Sequence, residues 1–381
     1  MRKWNRIILS LIVSAILLTS CGTSQDNLKD TQKITEESNT MDFTSVKIGA
    51  FTSSNKDDGG WNQVQYAGLT KMLENLGLSD EQFVFIEDVA EEGNSGVATV
   101  VQQMVEDGCN IIIGVASGYK DAMGSVAKEY PDIQFVQFNG YTSKNEVGYS
   151  IRHYQGMFLC GYICSLVSGT DELGYVTGYP EASNILALNA FAQGAKYGNP
   201  LATVQVSWTN SWYDPAAEKE CANSLITKGI TCIGMSAASS PAIPQACQEA
   251  GVYCTGYHLD MKKYAPEAVM TSFMWNWAPI FEDIVTRFVQ GQGIPFQENY
   301  FWGADKGCAA IADINLGIVP QEIADKVYKA QEMIISGEID VFSGELRDNQ
   351  GNVVVPKGET MSDGQMMDMG FLLDNVIGTL P

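Results

Sequence analysis

The residues of this chain best suited to recognising a small molecule follow its β-rich runs. Asp58, Trp61 and Asn62 come after the run that ends at Phe51; Ser117 follows IIIGVA, and Asn139 and Tyr141 follow FVQF. Later, Trp212 follows TVQVSW, Ser239 follows ITCIGM, and Tyr257, His258 and Asp260 follow VYCTG. Trp275 and Trp277 close the segment MTSFMWNW. Indole and phenol rings can sandwich a flat ring while carboxylate, amide and hydroxyl groups bond its edge. Such a set suits a planar, polar-edged ligand held in a cleft. A single strand-end aromatic more often closes a core, so the signal is the clustering in both halves of the chain.

Catalytic chemistry has little to build on. There is no Walker loop, no G-x-G-x-x-G after a strand, no H-E-x-x-H and no G-x-S-x-G elbow. With His153 and His258 as the only histidines, neither a metal cluster nor a histidine-based triad is supported. No enzyme, cofactor or metal is expected, and a hydrolase built from Asp58 and Asp260 is the weaker alternative. His153, next to Arg152 at a helix start, reads as solvated or capping. Asp214 before Pro215 reads as a helix cap with proline in the first turn. The segment RDNQGNVVVPKGE reads as a hairpin around Asn349–Asn352.

The elements that must position these side chains alternate regularly. Strand-like VKIGAF, FVFIEDV, NIIIGVA and IQFVQF are separated by helical patterns, and the rhythm resumes with LGYVTG, TVQVSW, ITCIGM and VYCTGY. A continuous apolar run such as NIIIGVA fits a strand buried on both faces. Alternation on this scale implies α/β architecture with parallel sheets and right-handed crossovers, here as two doubly wound, Rossmann-like lobes. In such sheets ligands bind beyond the carboxyl ends of the strands, where the residues above lie.

The N-terminus sets the location. Arg2, Lys3 and Arg6 precede an apolar run, Ile7 to Leu18, too short for a membrane span, and Leu18-Thr19-Ser20-Cys21 closes it. This pattern predicts a lipoprotein signal over residues 1–20, with Cys21 acylated and serving as the only membrane link. Residues 21–45 are polar and aperiodic, as a flexible tether would be. The formal charge is −22, and cleavage would remove three basic residues to leave −25. A surface this acidic disfavours nucleic acid and anionic lipid. Of the nine cysteines, the eight beyond Cys21 read mainly as buried thiols, with Cys232–Cys254 the foremost candidate for a bridge.

Together, DDGGWNQVQYAGL (57–69), KEYPDIQFVQF (128–138), SIRHYQGMFLCGY (150–162), NSWYDPAAEKECANSLITKGIT (210–231), GYHLDM (256–261) and MTSFMWNWAP (270–279) resemble the basic membrane protein family. The resemblance runs from about Val46 to Pro381. It implies a substrate-binding lipoprotein of a nucleoside-type ABC importer, with a type I periplasmic-binding-protein fold whose lobes close about a hinge. The lobes would comprise 46–150 completed by about 256–295, and 151–255 completed by about 296–340, with 341–381 as an extension. The NSWYDP, NWAP and FSG segments point to a subgroup associated with purine-type bases. By the same resemblance Trp61 would stack on the base, Asp58 would accept hydrogen bonds from ligand N–H or hydroxyl groups, Asn62 matches the amide beside the stacking ring, Asp260 matches the second acid of the family's Gly-x-Asp-x-Asp stretch, and Trp212 matches the subgroup's tryptophan.

The chain also departs from its relatives. His258 stands where the family has an aspartate, Trp275 where nucleoside binders have a ribose-reading lysine, and Ser239 where the base-binding subgroup has an aspartate. The expected function is therefore capture of a purine-type nucleobase or nucleoside for ABC permease subunits, by a monomer, with bases binding at least as well as nucleosides. A ligand-sensing lipoprotein for a sugar or signalling compound is the alternative. Trp61→Ala is expected to abolish binding with little loss of stability.

Overall fold

Ile48–Phe51 and Ile111–Gly114 are buried at every position because helices cover both faces of the sheet they share. The computed structural model describes residues 41–91, 93–237 and 240–381. The segment expected to be a signal, most of the expected tether, Cys21 and Ser239 lie outside the described residues. In chain order, β1 (Ile48–Phe51), α1 (Trp61–Leu76), β2 (Phe83–Ile86), α2 (Asn94–Glu106), β3 (Ile111–Gly114), α3 (Lys120–Val126), β4 (Gln134–Phe138) and β5 (Glu146–Ile151) come first. Next are α4 (Tyr154–Val167), β6 (Glu172–Thr177), α5 (Ala182–Gly198), β7 (Thr203–Trp208), α6 (Pro215–Thr227), β8 (Cys232–Ser236), α7 (Ala242–Ala250), β9 (Tyr253–Gly256) and β10 (Val269–Trp275). The remainder is α8 (Ala278–Gln290), β11 (Glu298–Trp302), β12 (Ala309–Ile311), α9 (Gln321–Ile335), β13 (Leu346–Arg347), β14 (Val353–Val355), α10 (Asp363–Met367) and β15 (Val376–Ile377).

Two large sheets result. The first, in the order β11-β5-β4-β3-β1-β2, is parallel throughout. The second, β12-β10-β9-β8-β6-β7-β15, is parallel except where β12 runs against β10. Strand order reverses between β1 and β3 and again between β6 and β8, the positions where doubly wound sheets open a crevice. The chain passes between the sheets three times, after β5, after β10 and after β11.

Two segments sit differently from the expected lobe division. Strand β10 pairs with β9 in the second sheet, so within 256–295 it is α8 that packs against α1 of the first lobe. Strand β11 pairs with β5 in the first sheet, although it falls within 296–340. The physical reason is that each crossover strand must pair with an open sheet edge, and the free edges are β9 and β5. The C-terminal segment is held by the second lobe: β15 pairs with β7, and Asn189 of α5 bonds both Phe371 O and Leu373 N.

Local chemistry sets several junctions. Gly77 ends α1 in the left-handed conformation (φ 68°), donating to Glu74 O while Leu78 N reaches Leu73 O. Asp214 accepts from Ala216 N and Ala217 N ahead of Pro215, the cap expected from sequence. Strands β13 and β14 form the expected antiparallel hairpin. Helices α4 and α5 cross where Gly161 faces Phe191 O and Gly194 faces Phe158 O, leaving no room for a Cβ on either. All eight described cysteines are free, and seven are buried. The candidate Cys232–Cys254 bridge is absent because the register sets Cys232 opposite Tyr253 and Cys254 opposite Ile233. No described helix is long and apolar enough to cross a membrane.

Candidate functional site

Among the described residues, five of the six non-glycine positions with positive φ sit one or two places beyond a strand: Asp88 after β2, Asn139 after β4, Asn210 after β7, Ala237 after β8 and His258 after β9. Left-handed backbone costs roughly 1–3 kcal/mol for a residue with a Cβ, and it clusters where function demands a particular loop shape. Both lobes therefore concentrate unusual backbone at the carboxyl ends of their strands. At the second lobe's reversal point, the Thr177 and Ser236 hydroxyls bond across at 3.0 Å.

The loop between β1 and α1 is organised by Asp58. Its Oδ1 accepts from Gly60 N (2.8 Å) and Gln63 N (3.1 Å); its Oδ2 accepts from Asn62 N (3.1 Å) and Asn62 Nδ2 (2.9 Å). The carboxylate thus satisfies first-turn N–H groups of α1 and aligns with the positive end of the helix dipole. This fixes Trp61, the first residue of α1, whose Nε1 donates to Val115 O at 2.9 Å just beyond β3.

Around Trp61 the two lobes meet through aromatic rings. Phe138 lies 4.5 Å away, and Trp275 and Trp277 present edges at 5.6 Å each. Trp277 is fully buried and stacks beneath Trp275 at 5.0 Å with planes 9° apart. His258 stands 6.3 Å from Trp61, and Tyr257 packs against it at 4.4 Å. Trp275 Nε1 donates to His258 Nδ1 at 3.0 Å, so the neutral imidazole carries its proton on Nε2. Burial pulls the His258 pKa down to about 4, although the nearby Asp58 charge works the other way. At neutral pH the imidazole is uncharged.

The structure brings Trp61, Tyr257, His258, Trp275 and Trp277 into one cluster, with Asp58 and Asn62 beside it. Ser117 and Asn139 pair at 3.4 Å on the exposed rim of the first lobe. Tyr141 turns outward, half exposed, bonding Asp121 and lying under Lys120. Trp212 is also half exposed and packs on Tyr179 at 5.2 Å. Asp260 caps its own turn through Lys262 N at 2.9 Å. Asp58 and Asp260 are thus both engaged with local N–H donors, which gives a paired-carboxylate hydrolase little support.

His153 is neither solvated nor a side-chain cap. It is buried at the first crossover, with Nδ1 3.2 Å from Ile151 O and Nε2 3.0 Å from Ser183 O of α5, and its ring lies 5.2 Å from Trp275. Burial lowers its pKa. Sequence reasoning missed it because a neighbouring arginine suggests solvent. Arg152 instead turns away, gripping Asp363 with two 2.7 Å bonds and donating to Phe301 O. Phe138 was also missed, although the last residue of a strand ending in the crevice is a place to look. Trp61 itself is half-buried and hydrogen-bonded, so the expectation that Trp61→Ala would spare stability does not survive. The indole supports the lobe junction.

Comparison with known proteins gives an independent result. The family model for ABC transporter substrate-binding proteins of the PnrA-like type (Bmp) matches residues 45–345. A purine-binding protein of Brucella abortus is 28% identical over 337 residues, covering 88% of this chain and 94% of the relative. A Haloferax volcanii protein, provisionally named as an ABC transporter glucose-binding protein, is 32% identical over 268 residues, covering 70% of this chain and 68% of the relative. Among solved structures, an ABC transporter solute-binding protein from Conexibacter woesei matches with a TM-score of 0.63 at 18% identity, covering 77% of this chain and 98% of that one.

Proposed function

The chain belongs to the Bmp family of PnrA-like ABC transporter substrate-binding proteins, with a type I periplasmic-binding-protein fold, and on that premise we propose that it captures a purine-type nucleobase or nucleoside between its lobes and delivers it to an ABC permease. Substrate-binding proteins of ABC importers act outside the cytoplasm. The observation that carries the purine reading is the Trp61 cluster. It sets the indole at the start of α1 in the first lobe against Phe138, His258 and Trp275 where strand ends of both lobes converge. Flat heteroaromatic rings gain stacking energy from such surfaces, and an uncharged His258 suits a neutral ligand better than an ionic one. The purine-binding relative from Brucella abortus supports the same class. Anchoring through acylated Cys21 would hold the protein near its permease and raise the local concentration of loaded protein.

A second reading, a sugar ligand, is favoured by the provisional name of the Haloferax volcanii relative. A thermal-shift panel of purine and pyrimidine bases, their nucleosides and monosaccharides separates the two. Purine compounds are expected to raise the melting temperature in proportion to ln(1 + [L]/Kd). Stabilisation by sugars alone would sink the purine reading.

A further inference from the structure

We propose that the C-terminal segment clasps the hinge: Asp363 of α10 grips Arg152 in the first crossover and holds the two lobes at one angle. The clasp governs the swing of the lobes and is independent of which ligand the cleft takes.

The first crossover is short. Strand β5 of the first lobe ends at Ile151, α4 of the second begins at Tyr154, and only Arg152 and His153 lie between. A rotation of one lobe against the other must turn this dipeptide. Both residues are held. The His153 ring sits between Ile151 O and Ser183 O of α5. Arg152 is fixed to the end of β11: its backbone N–H donates to Trp302 O at 2.8 Å, its Nε donates to Phe301 O at 2.9 Å, and its guanidinium lies 4.4 Å over the Phe301 ring. The third crossover leaves from that same end, so Arg152 joins two of the three crossings. Its two terminal nitrogens then reach out to Asp363 Oδ1 and Oδ2, at 2.7 Å each, and Nη1 also donates to Tyr154 OH at 3.1 Å.

Asp363 is carried by the second lobe. Helix α10 packs on α5, and Ser362 and Gln365 close a capping box around its start. Beyond it the chain is bonded to Asn189 at Phe371 and Leu373, to Lys196 at Asp374, and to β7 through β15. The ion pair therefore bridges a tail fastened to the second lobe and a residue pinned to the edge strand of the first. Both bonds of such a fork depend on one geometry, and a shift of about 1 Å between Asp363 and the crossover breaks them together. The pair Lys196–Asp374 differs, because it joins the tail to α5 within one lobe and does not feel the swing. The Asp363 side chain is half exposed, so dissolved ions reach the clasp.

Electron–electron resonance between nitroxides on Gln103→Cys of α2 and Ser224→Cys of α6, both exposed, measures the interlobe distance without ligand. The parent is the full chain with Cys21→Ser and Cys221→Ser, since the other described cysteines are buried. One dominant distance is expected in the parent. Asp363→Ala should enlarge the population at other distances about fivefold, the upper range for a partly exposed bidentate pair. Sodium chloride at about 1 M, where charges are screened beyond ~3 Å, should do the same to the parent and add nothing to Asp363→Ala. Asp363→Glu, which keeps a carboxylate, should retain most of the parent distribution, and Lys196→Ala all of it. A thermal melt of each variant checks folding. Should Asp363→Ala fail to fold, Asp363→Asn and the salt titration decide. An unchanged distribution in folded Asp363→Ala overturns the clasp. So does equal broadening by Lys196→Ala, which would assign the effect to a loosened tail. No ligand enters the measurement, so its failure leaves the purine reading standing.

Discussion

Replacing Trp61 separates what its indole does for the fold from what it does for the ligand. Trp61→Ala removes a half-buried side chain that meets Phe138 at 4.5 Å and the edges of Trp275 and Trp277 at 5.6 Å. Deleting a fully buried tryptophan costs about 3–5 kcal/mol, and half burial brings that to roughly 2–3. The Val115 carbonyl also loses its 2.9 Å donor, adding about 1 kcal/mol. The total is ~3–4 kcal/mol of stability. Trp61→Phe keeps most of the ring and loses mainly the hydrogen bond, so ~1–2 kcal/mol is expected. Stacking on a base contributes a further ~1–3 kcal/mol of binding, which Trp61→Ala forfeits and Trp61→Phe largely keeps. Urea unfolding of ligand-free protein measures the first pair of numbers. Calorimetry with adenine well below the melting temperature measures the second. Unchanged adenine affinity in Trp61→Ala would show that the ring serves the junction alone; unchanged stability would refute the packing argument.

Other consequences follow from single contacts. The folded-state pKa of His258, about 4, lies below the ordinary 6.5, so the native state resists a proton that the unfolded chain accepts. That stability is complete above pH 6.5 and is lost as pH falls toward 4. It amounts to about 3 kcal/mol, and the difference in pH-dependent unfolding between wild type and His258→Asn should report it. An equal pH slope in both proteins would contradict the assignment. Gly161→Ala places a methyl on the Phe191 carbonyl of α5, so α4 and α5 must separate. We expect a loss of more than 3 kcal/mol in denaturant titration, and a near-neutral variant would show that the crossing can relax. Asp214→Ala removes the acceptor for Ala216 N and Ala217 N and should cost about 1 kcal/mol without altering ligand affinity; any drop in affinity would move Asp214 into the site.

The sequence by itself determined the strand–helix alternation, the two doubly wound lobes, the cap at Asp214 and the crevice side of each sheet, because these follow from local periodicity and cap chemistry. It also singled out Trp61, His258 and Trp275 as residues following strands. Only the tertiary structure decided what those residues do to one another. The register β8–β9 kept Cys232 and Cys254 unbridged, and the free sheet edges assigned β10 and β11 to lobes opposite to those expected. Burial turned His153 from a surface residue into a strut under Trp275, and it left His258 uncharged. Such outcomes depend on residues far apart in the chain, such as Trp61 and Trp275, sharing one desolvated space. No local pattern encodes that distance.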